Sequence, residues 1–414
     1  MSLLVLKFGG TSVATIEAIE NVANKVAAEI ALGHKLAVVV SAMSGVTNQL
    51  VGYCNAISTL YDQAEYDAVV ASGEQVTSGL LALALQKRGI KARSWQGWQV
   101  PIVTDDVHGK ARIVDVQSEQ FKERIMAGEV AVVAGFQGVT TQGRMTTLGR
   151  GGSDTSAVAL AAALKAERCD IYTDVKGVYT TDPRIVPQAR KIEKISYEEM
   201  LEMASVGAKV LQTRSVELAM AQAVRVQVLS SFEQALGSDL PGTLVVSEEE
   251  IVEKEIVSGV TYARDEAKMT LRNLPDVPGV AARVFGPLSE AAINVDMIVQ
   301  NISPDAKKTD LTFTIPKTDL PRAQAVLEEV VKSLEGASFE ASANAAKLSV
   351  IGIGMRSHAG VAQRMFKALA DKGINIEIIT TSEIKISVLI ASEYTELAVR
   401  ALHTAYGLDM PEGI

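Results

Sequence analysis

Residues Ser2–Val13 read SLLVLKFGGTSV. Leu3 to Leu6 form an apolar run, the mark of a short strand buried on both faces. Lys7 stands at the strand's end, and Gly9–Gly10 follow. Thr11 and Ser12 are placed to cap a helix whose apolar residues, Val13, Ile16, Ile19, Val22, Val26 and Ile30, recur at spacings of three or four. The unit is therefore strand, lysine, glycine turn, helix start. Glycines without Cβ let backbone N–H groups approach an anion closely. The helix start adds unsatisfied donors and the positive end of a dipole. Such a unit can cradle a phosphate, although the Walker pattern GxxxxGK[ST] is absent and the lysine precedes the glycines. The same residues would also serve an ordinary strand-to-helix turn with a snorkelling lysine, and this stretch alone leaves both readings open.

The 414 residues leave room for two or three domains, and an apolar content of 48% supports sizeable cores. The net charge of −9 and the lack of a basic run argue against a nucleic-acid partner. Cys54 and Cys169 are too few for a disulfide framework and read as buried free thiols of a reducing compartment. His34, His108, His358 and His403 lack metal-ligand spacing, so no protein-held metal is expected. The N-terminus lacks the pattern of a signal peptide, and no apolar run reaches the ~18 residues of a membrane span. The expectation is a cytoplasmic protein without a membrane partner.

Strands and helices alternate along the first 246 residues. Lys35–Met43 is a β-branched apolar run with Ser41, Ser44, Gly45, Thr47 and Asn48 at its carboxyl end. Glu74 opens a helix through Leu85. Val130–Phe136 is another buried strand, and Thr146–Asp154 (TTLGRGGSD) leads into a helix over Thr155–Ala166. Within it, Arg150 offers a planar fork suited to a carboxylate, and Ser153 or Asp154 could cap. Cys169–Val175 is a further strand, followed by the donor-rich Lys176–Arg184. Ser196–Glu199 is a capping box. Val224–Ser230 and Thr243–Val246 close the region. The fold expected is α/β, with a mainly parallel sheet sandwiched by helices. Ligands of such sheets gather beyond the carboxyl ends of the strands. Polar residues there also make simple turns, so each is a candidate only.

An acidic linker, Glu248–Glu255, precedes an internal repeat. Gly279–Ile302 aligns with Gly360–Glu383 at an offset of 81, with identities that include Gly279/Gly360, Val280/Val361, Leu288/Leu369, Ile293/Ile374 and Asn294/Asn375. Each copy has strands before and after it, which predicts two ferredoxin-like βαββαβ modules. A GIG after the second copy's first strand is only a partial dinucleotide fingerprint and is discounted.

The motifs KFGGTSV, VVSAMSGVTN, ASGEQVTS, TTLGRGGSDTSA and IYTDVKGVYTTDPR occur in one order along the chain. In this the sequence resembles the aspartate kinases of the amino-acid kinase family, whose regulatory half carries tandem ACT modules. The resemblance implies a kinase domain over 1–246, a linker over 247–256, and ACT modules over 257–340 and 341–414. It implies MgATP-dependent phosphorylation of the β-carboxylate of L-aspartate, with Mg2+ held mainly through the phosphates. That reaction opens lysine, threonine and methionine biosynthesis. Lys7 and Asp154 would be catalytic. Ser41, Thr47, Glu74, Arg150, Gly151, Gly152 and Ser153 would meet the amino acid, with Glu74 on its α-ammonium and Arg150 on its α-carboxylate. Lys7, Phe8, Gly9, Gly10, Thr173, Asp174, Tyr179, Arg184 and Lys209 would meet ATP. Lysine or threonine, or both, would act as inhibitory effectors. Their contacts would be Asp276, Val280, Asn294, Asp296 and Gln300 in one copy, and Asn375, Ile376, Thr381, Ser382 and Glu383 in the other. A homodimer paired through the ACT modules is expected. A kinase for another amino acid, or a catalytically silent effector sensor, is the alternative.

Overall fold

The computed structural model describes residues 2–100, 102–207, 210–251, 256–302 and 308–410. The chain divides into two compact units: Met1–Val178, Lys191–Ser205 and Lys209–Glu253 in the first, and Tyr179–Arg190, Val206–Ala208 and Lys254–Ile414 in the second. A division in strict chain order, as the sequence suggests, leaves the two short excursions in the first unit. Tyr179–Arg190 counts with the second because Ile185 and Val186 are buried in its core.

The first unit contains β1 (Leu3–Phe8), α1 (Ile16–Ala31), β2 (Lys35–Val40), α2 (Val46–Ile57), α3 (Gln63–Val70), α4 (Ser72–Lys87), β3 (Ala92–Trp95), β4 (Ile102–Thr104), β5 (Ile113–Val116), α5 (Glu119–Met126), β6 (Val130–Ala134), β7 (Gln137–Thr140), β8 (Met145–Thr147), α6 (Gly152–Leu164), β9 (Arg168–Thr173), β10 (Lys194–Ser196), α7 (Tyr197–Ser205), α8 (Thr213–Ala221), β11 (Val226–Ser230) and β12 (Thr243–Val246). Among the described residues, eight of these strands form one sheet in the order β10-β12-β11-β9-β1-β2-β6-β3. It is parallel except between β11 and β12. The continuous apolar runs of β1, β2 and β6 lie in its middle, as strands covered on both faces require. Leu4, Leu6 and Phe8 of β1 pack with Val22 and Val26 of α1 and Leu81 and Leu85 of α4, while α6 also lies over β1, β2 and β9. A four-stranded sheet, β5-β4-β7-β8, was not legible in the sequence.

Several expectations change locally. Thr15, not Thr11 or Ser12, caps α1: its Oγ1 accepts from Ala18 N at 3.2 Å. Gly10–Val13 is a 3-10 turn, and the buried Ser12 hydroxyl is drawn to the Ser231 hydroxyl. Helix α6 starts earlier than expected. Gly151 adopts a left-handed φ of 72° as its N-cap, so neither Ser153 nor Asp154 caps it. The capping box holds, with Glu199 N donating to Ser196 Oγ and Ser196 N to Glu199 Oε2. Cys169 is buried, but Cys54 is only half-buried. Gln63–Lys87, spanning α3 and α4, is a 25-residue helical stretch long and apolar enough to cross a bilayer by length and composition alone, although Glu65, Asp67 and Glu74 interrupt it. More than half of its most apolar 18-residue window is buried inside the protein, as in the core helix of a globular unit.

The second unit contains β13 (Gly259–Pro275), α9 (Val280–Glu290), β14 (Asp296–Ile302), β15 (Lys308–Pro316), α10 (Leu320–Lys332), β16 (Ser338–Ile351), α11 (Val361–Ala370), β17 (Ile378–Thr381), β18 (Lys385–Ile390) and α12 (Thr395–Ala405). They build an antiparallel sheet in the order β14-β15-β13-β16-β18-β17. The repeat reappears as geometry: Gly279 and Gly360 cap α9 and α11 with φ of 91° and 93°. Two large apolar cores form, one around Met269, Leu271, Phe313 and Leu327, the other around Val260, Leu348, Val388 and Leu402, with a smaller cluster of Met297, Ala345, Ile378 and Leu389 beside them. The long strands β13 and β16 serve both. The second half of β13 pairs with β15 and the first half of β16, whereas Gly259–Ala263 pairs with Lys347–Ile351. Each module is thus βαββαβ, but the fourth strand of the second is supplied from ahead of the first.

Candidate functional site

The carboxyl ends of β1, β2, β6 and β9 converge on a cavity of about 520 Å³ in the first unit. Its wall includes Lys7 in β1 with Gly9 and Gly10 after it, Ser41–Gly45 after β2 and Thr47 in α2, Glu74 on α4, Phe136 after β6, Gly149–Asp154 at the start of α6, and Thr173 at the end of β9 with Asp174 after it. Parallel strands place these loops at one edge whatever their separation in sequence.

Lys7 and Asp154 meet here. Nζ lies 2.5 Å from Oδ1, and both residues are buried. Beside them Gly9 N donates to Tyr172 O at 3.2 Å, while the amides of Gly10 and Thr11 have no protein acceptor among the described residues. A Cβ on Gly10 would approach Ala42 O to 3.0 Å, so this turn runs too close to the β2 loop for a larger residue to enter without movement. Free N–H groups next to a lysine make an anion-binding wall.

Glu74 reaches the cavity from the first turn of α4. It is buried, Oε1 accepts from Ala42 N at 3.0 Å, and Oε2 has no hydrogen-bond partner among the described residues. Burial pushes its carboxyl up to about 7, against the lowering effect of the Ala42 N–H. A buried carboxylate with one idle oxygen is costly unless a cationic ligand meets it. Arg150 is exposed and has no ion-pair partner among the described residues, so its fork is free. Gly151 and Gly152 permit the turn that presents it: a Cβ on Gly151 would fall 2.0 Å from Gln212 Cγ, and one on Gly152 2.8 Å from Phe136 Cδ2.

Phe136 was missed from sequence. It lines the cavity with φ of 68°, a left-handed backbone that costs a non-glycine residue roughly 1–2 kcal/mol. Two bonds hold it there: its N–H donates to Ser156 Oγ at 3.1 Å, and its carbonyl accepts from Leu148 N at 2.9 Å. Met43 also lines the wall and carries no local motif that marks it.

Not every candidate gathers here. The Phe8 side chain points into the core, stacked on Tyr172 at 4.5 Å and 18°. Its carbonyl is taken by Ser41 N. Tyr179 and Arg184 belong to the second unit, where Arg184 is forked onto Asp182 with Nη2–Oδ2 at 2.7 Å. Lys209 lies outside the described residues. In the second unit Val280 is buried in the first core and Ile376 packs against the second, so their side chains face inward. Asp276 is half-buried, and Asn294, Gln300, Asn375, Thr381 and Ser382 are exposed. Asp296 on β14 pairs with the buried Lys347 at 2.6 Å. Glu383 pairs with Arg356 at 3.4 Å.

The sequence pattern of the amino acid kinase family matches residues 2–230, and that of the ACT domain matches residues 272–331 and 348–406. An aspartokinase of Pseudomonas aeruginosa is 54% identical over 413 residues, spanning 99% of each chain. The chain belongs to the amino acid kinase family, as an aspartate kinase. Two solved structures agree. E. coli aspartokinase III in complex with aspartate and ADP aligns with a TM-score of 0.79 at 28% identity, over 97% of this chain and 99% of that one. The same enzyme in complex with lysine and aspartate aligns at 0.75 and 29%, over the same shares. The kinase therefore shares the fold of these enzymes over 97% of its length.

Proposed function

We propose that this cavity transfers the γ-phosphoryl group of ATP to the β-carboxylate of L-aspartate, giving 4-phospho-L-aspartate and ADP. The observation that carries this reading is the idle oxygen of buried Glu74, facing the same cavity as the free fork of Arg150. An α-amino acid offers one ammonium and one carboxylate, and these two side chains complement that pair. Ser41, Thr47, Gly151, Gly152 and Ser153 complete the amino-acid side, leaving the β-carboxylate to point at Lys7. Lys7, Gly9, Gly10, Thr173 and Asp174 line the phosphate side. Phe8 supports this side only from the core, where its ring stacks on Tyr172 and its carbonyl is taken by Ser41 N.

The nucleophile needs no general base, since a free aspartate side chain titrates near ~3.9 and is ionised at neutral pH. One oxygen of the β-carboxylate bonds to the γ-phosphorus as the bond to the β,γ-bridging oxygen breaks, and the electron pair leaves with ADP. Such a transfer depends on positioning and charge neutralisation. Lys7 neutralises phosphate charge. Asp154, ion-paired to it, fixes where the ammonium sits and abstracts no proton. Bound with the triphosphate, Mg2+ would neutralise charge on the phosphate oxygens, and of the wall carboxylates Asp174 and Asp154 would be the ones to face it.

The test is incubation with MgATP, L-aspartate and hydroxylamine. Hydroxamate from aspartate is expected, and product from glutamate or acetylglutamate instead would assign a different acceptor. Arg150→Lys replaces a two-pronged grip by a point charge. It should raise KM for aspartate at least tenfold and leave KM for ATP within twofold; a shift confined to ATP would remove Arg150 from the amino-acid side.

The second unit we read as the regulatory half, taking lysine or threonine at the end strands β14 and β17 and pairing there as a two-fold homodimer. Its support is exposed Gln300 and Thr381 on those strands, exposed Asn294, Asn375 and Ser382 beside them, and the charged pair Asp296–Lys347. The step would feed lysine, threonine and methionine synthesis under feedback control. Activity unchanged at millimolar lysine and threonine, singly and together, would overturn the effector assignment.

A further inference from the structure

The turn that presents Arg150 is fastened by two charged residues that do not line the cavity. The first is Arg214, in the opening turn of α8. Its Nη1 donates to Leu148 O at 2.7 Å and its Nη2 to Ala111 O at 2.7 Å. One guanidinium therefore spans the segment entering the Arg150 turn and the neighbouring segment at Ala111. Ala111 N in turn donates to Thr147 O at 2.9 Å. The second is Asp67 on α3, which is fully buried. Its Oδ1 accepts from Thr147 Oγ1 at 2.5 Å, both oxygens receive Gly109 N at 3.1 and 3.0 Å, and Oδ2 lies 2.8 Å from His108 Nδ1. Two charges thus tie the same two segments together, immediately before Gly149 and Arg150.

We propose that Arg214 is a positioning residue for the amino-acid substrate, acting through the main chain at Leu148 to hold Arg150 where its fork meets the α-carboxylate. This rests on the reading that Arg150 grips that carboxylate. The physical reason is the turn's freedom. Arg150 is exposed and flanked by Gly149 at φ of 75° and Gly151 at φ of 72°. Glycines on both sides give the loop little stiffness of its own. Its aim must come from what grips it outside the cavity, and bidentate guanidinium donation to two carbonyls is a rigid grip. Displacing a substrate-gripping group by about 1 Å is enough to cost on the order of 10²-fold in rate.

The test is a double-mutant cycle on the full chain with Arg150→Ala and Arg214→Ala, measuring KM for aspartate, KM for ATP and the melting temperature. Arg214→Ala is expected to raise KM for aspartate about tenfold with KM for ATP within twofold, and to add less than twofold in the Arg150→Ala background. Guanidine added to Arg214→Ala should recover part of the loss. An equal penalty in both backgrounds, or a rise in both KM values together, would show a purely structural role and overturn the proposal. If Arg214→Ala does not fold, Arg214→Lys carries the test, since lysine has no fork to span the two carbonyls. An unchanged aspartate KM there also overturns it. The wild type and Arg150→Ala report separately on the underlying reading: no phosphorylation of aspartate, or no effect of Arg150→Ala on aspartate KM, rejects that reading whatever Arg214 does.

Discussion

Lys7→Ala is expected to lower kcat by about a hundredfold to a thousandfold, the usual loss when one preorganised stabiliser of transition-state charge is removed. KM for aspartate should move less than tenfold, because Lys7 faces the phosphate side. The structure adds a stability effect. Lys7 and Asp154 are a buried pair 2.5 Å apart, and removing one partner strands the other charge at a cost of roughly 3–5 kcal/mol. The double variant Lys7→Ala, Asp154→Asn removes the stranded charge and should regain most of the lost melting temperature while staying inactive. A single variant within tenfold of wild-type turnover would exclude Lys7 from the mechanism. A double variant no more stable than the single would exclude the stranded charge as the cause of instability.

Glu74→Gln is expected to lose function and gain stability at once. Glutamine can still accept from Ala42 N, but its amide would leave no charge for the substrate's ammonium. KM for aspartate should rise at least a hundredfold, of the order lost when a buried charged partner is removed. The carboxyl of Glu74 is raised by burial from 4.5 to about 7. A raised carboxyl favours the folded state fully below the unfolded value, and that contribution is lost as pH climbs through the folded one. Wild type therefore loses stability between pH 4.5 and about 7, by up to ~3 kcal/mol, whereas Glu74→Gln does not. Denaturant titrations at pH 5 and pH 8 should show the variant's advantage growing with pH. In wild type kcat/KM for aspartate should climb through about pH 7 as Glu74 ionises. An advantage that shrinks from pH 5 to pH 8 would contradict the buried, near-neutral carboxyl.

Much of this site could be read from the sequence because parallel α/β sheets keep chemistry local. Lys7 and Gly10, Ser41 and Thr47, or Arg150 and Asp154 each sit in one short loop, and the architecture alone brings the loops together. The repeat was equally plain, since Gly279 and Gly360 must both be left-handed to start their helices. What escaped depends on distant partners. Ser12 has the residue type of a cap, yet a hydroxyl 219 positions away takes it, and Thr15 caps α1 instead. Phe136 is left-handed because Ser156 and Leu148 hold it, and no turn signal surrounds it. Ile185 and Val186 directly follow the donor-rich Lys176–Arg184, carry no signal of their own, and are core residues of the second unit. Arg214 belongs to no motif at all; only the two carbonyls it meets reveal its place.

The shared strands β13 and β16 carry a statement about ancestry. Ala263 stands opposite Lys347 in the antiparallel register, so the chain leaves the second module at one strand and re-enters it at the neighbouring one. The stretch between these points is close to the 81-residue offset of the repeat. A single ancestral module whose hairpin at this point received a copy of the whole module would leave this arrangement, with the duplicate nested inside its parent instead of trailing behind it. Excising 264–346 and joining the cut ends by a tight turn would then restore the parent: a four-stranded sheet with its own core of Val260, Leu348, Val388 and Leu402.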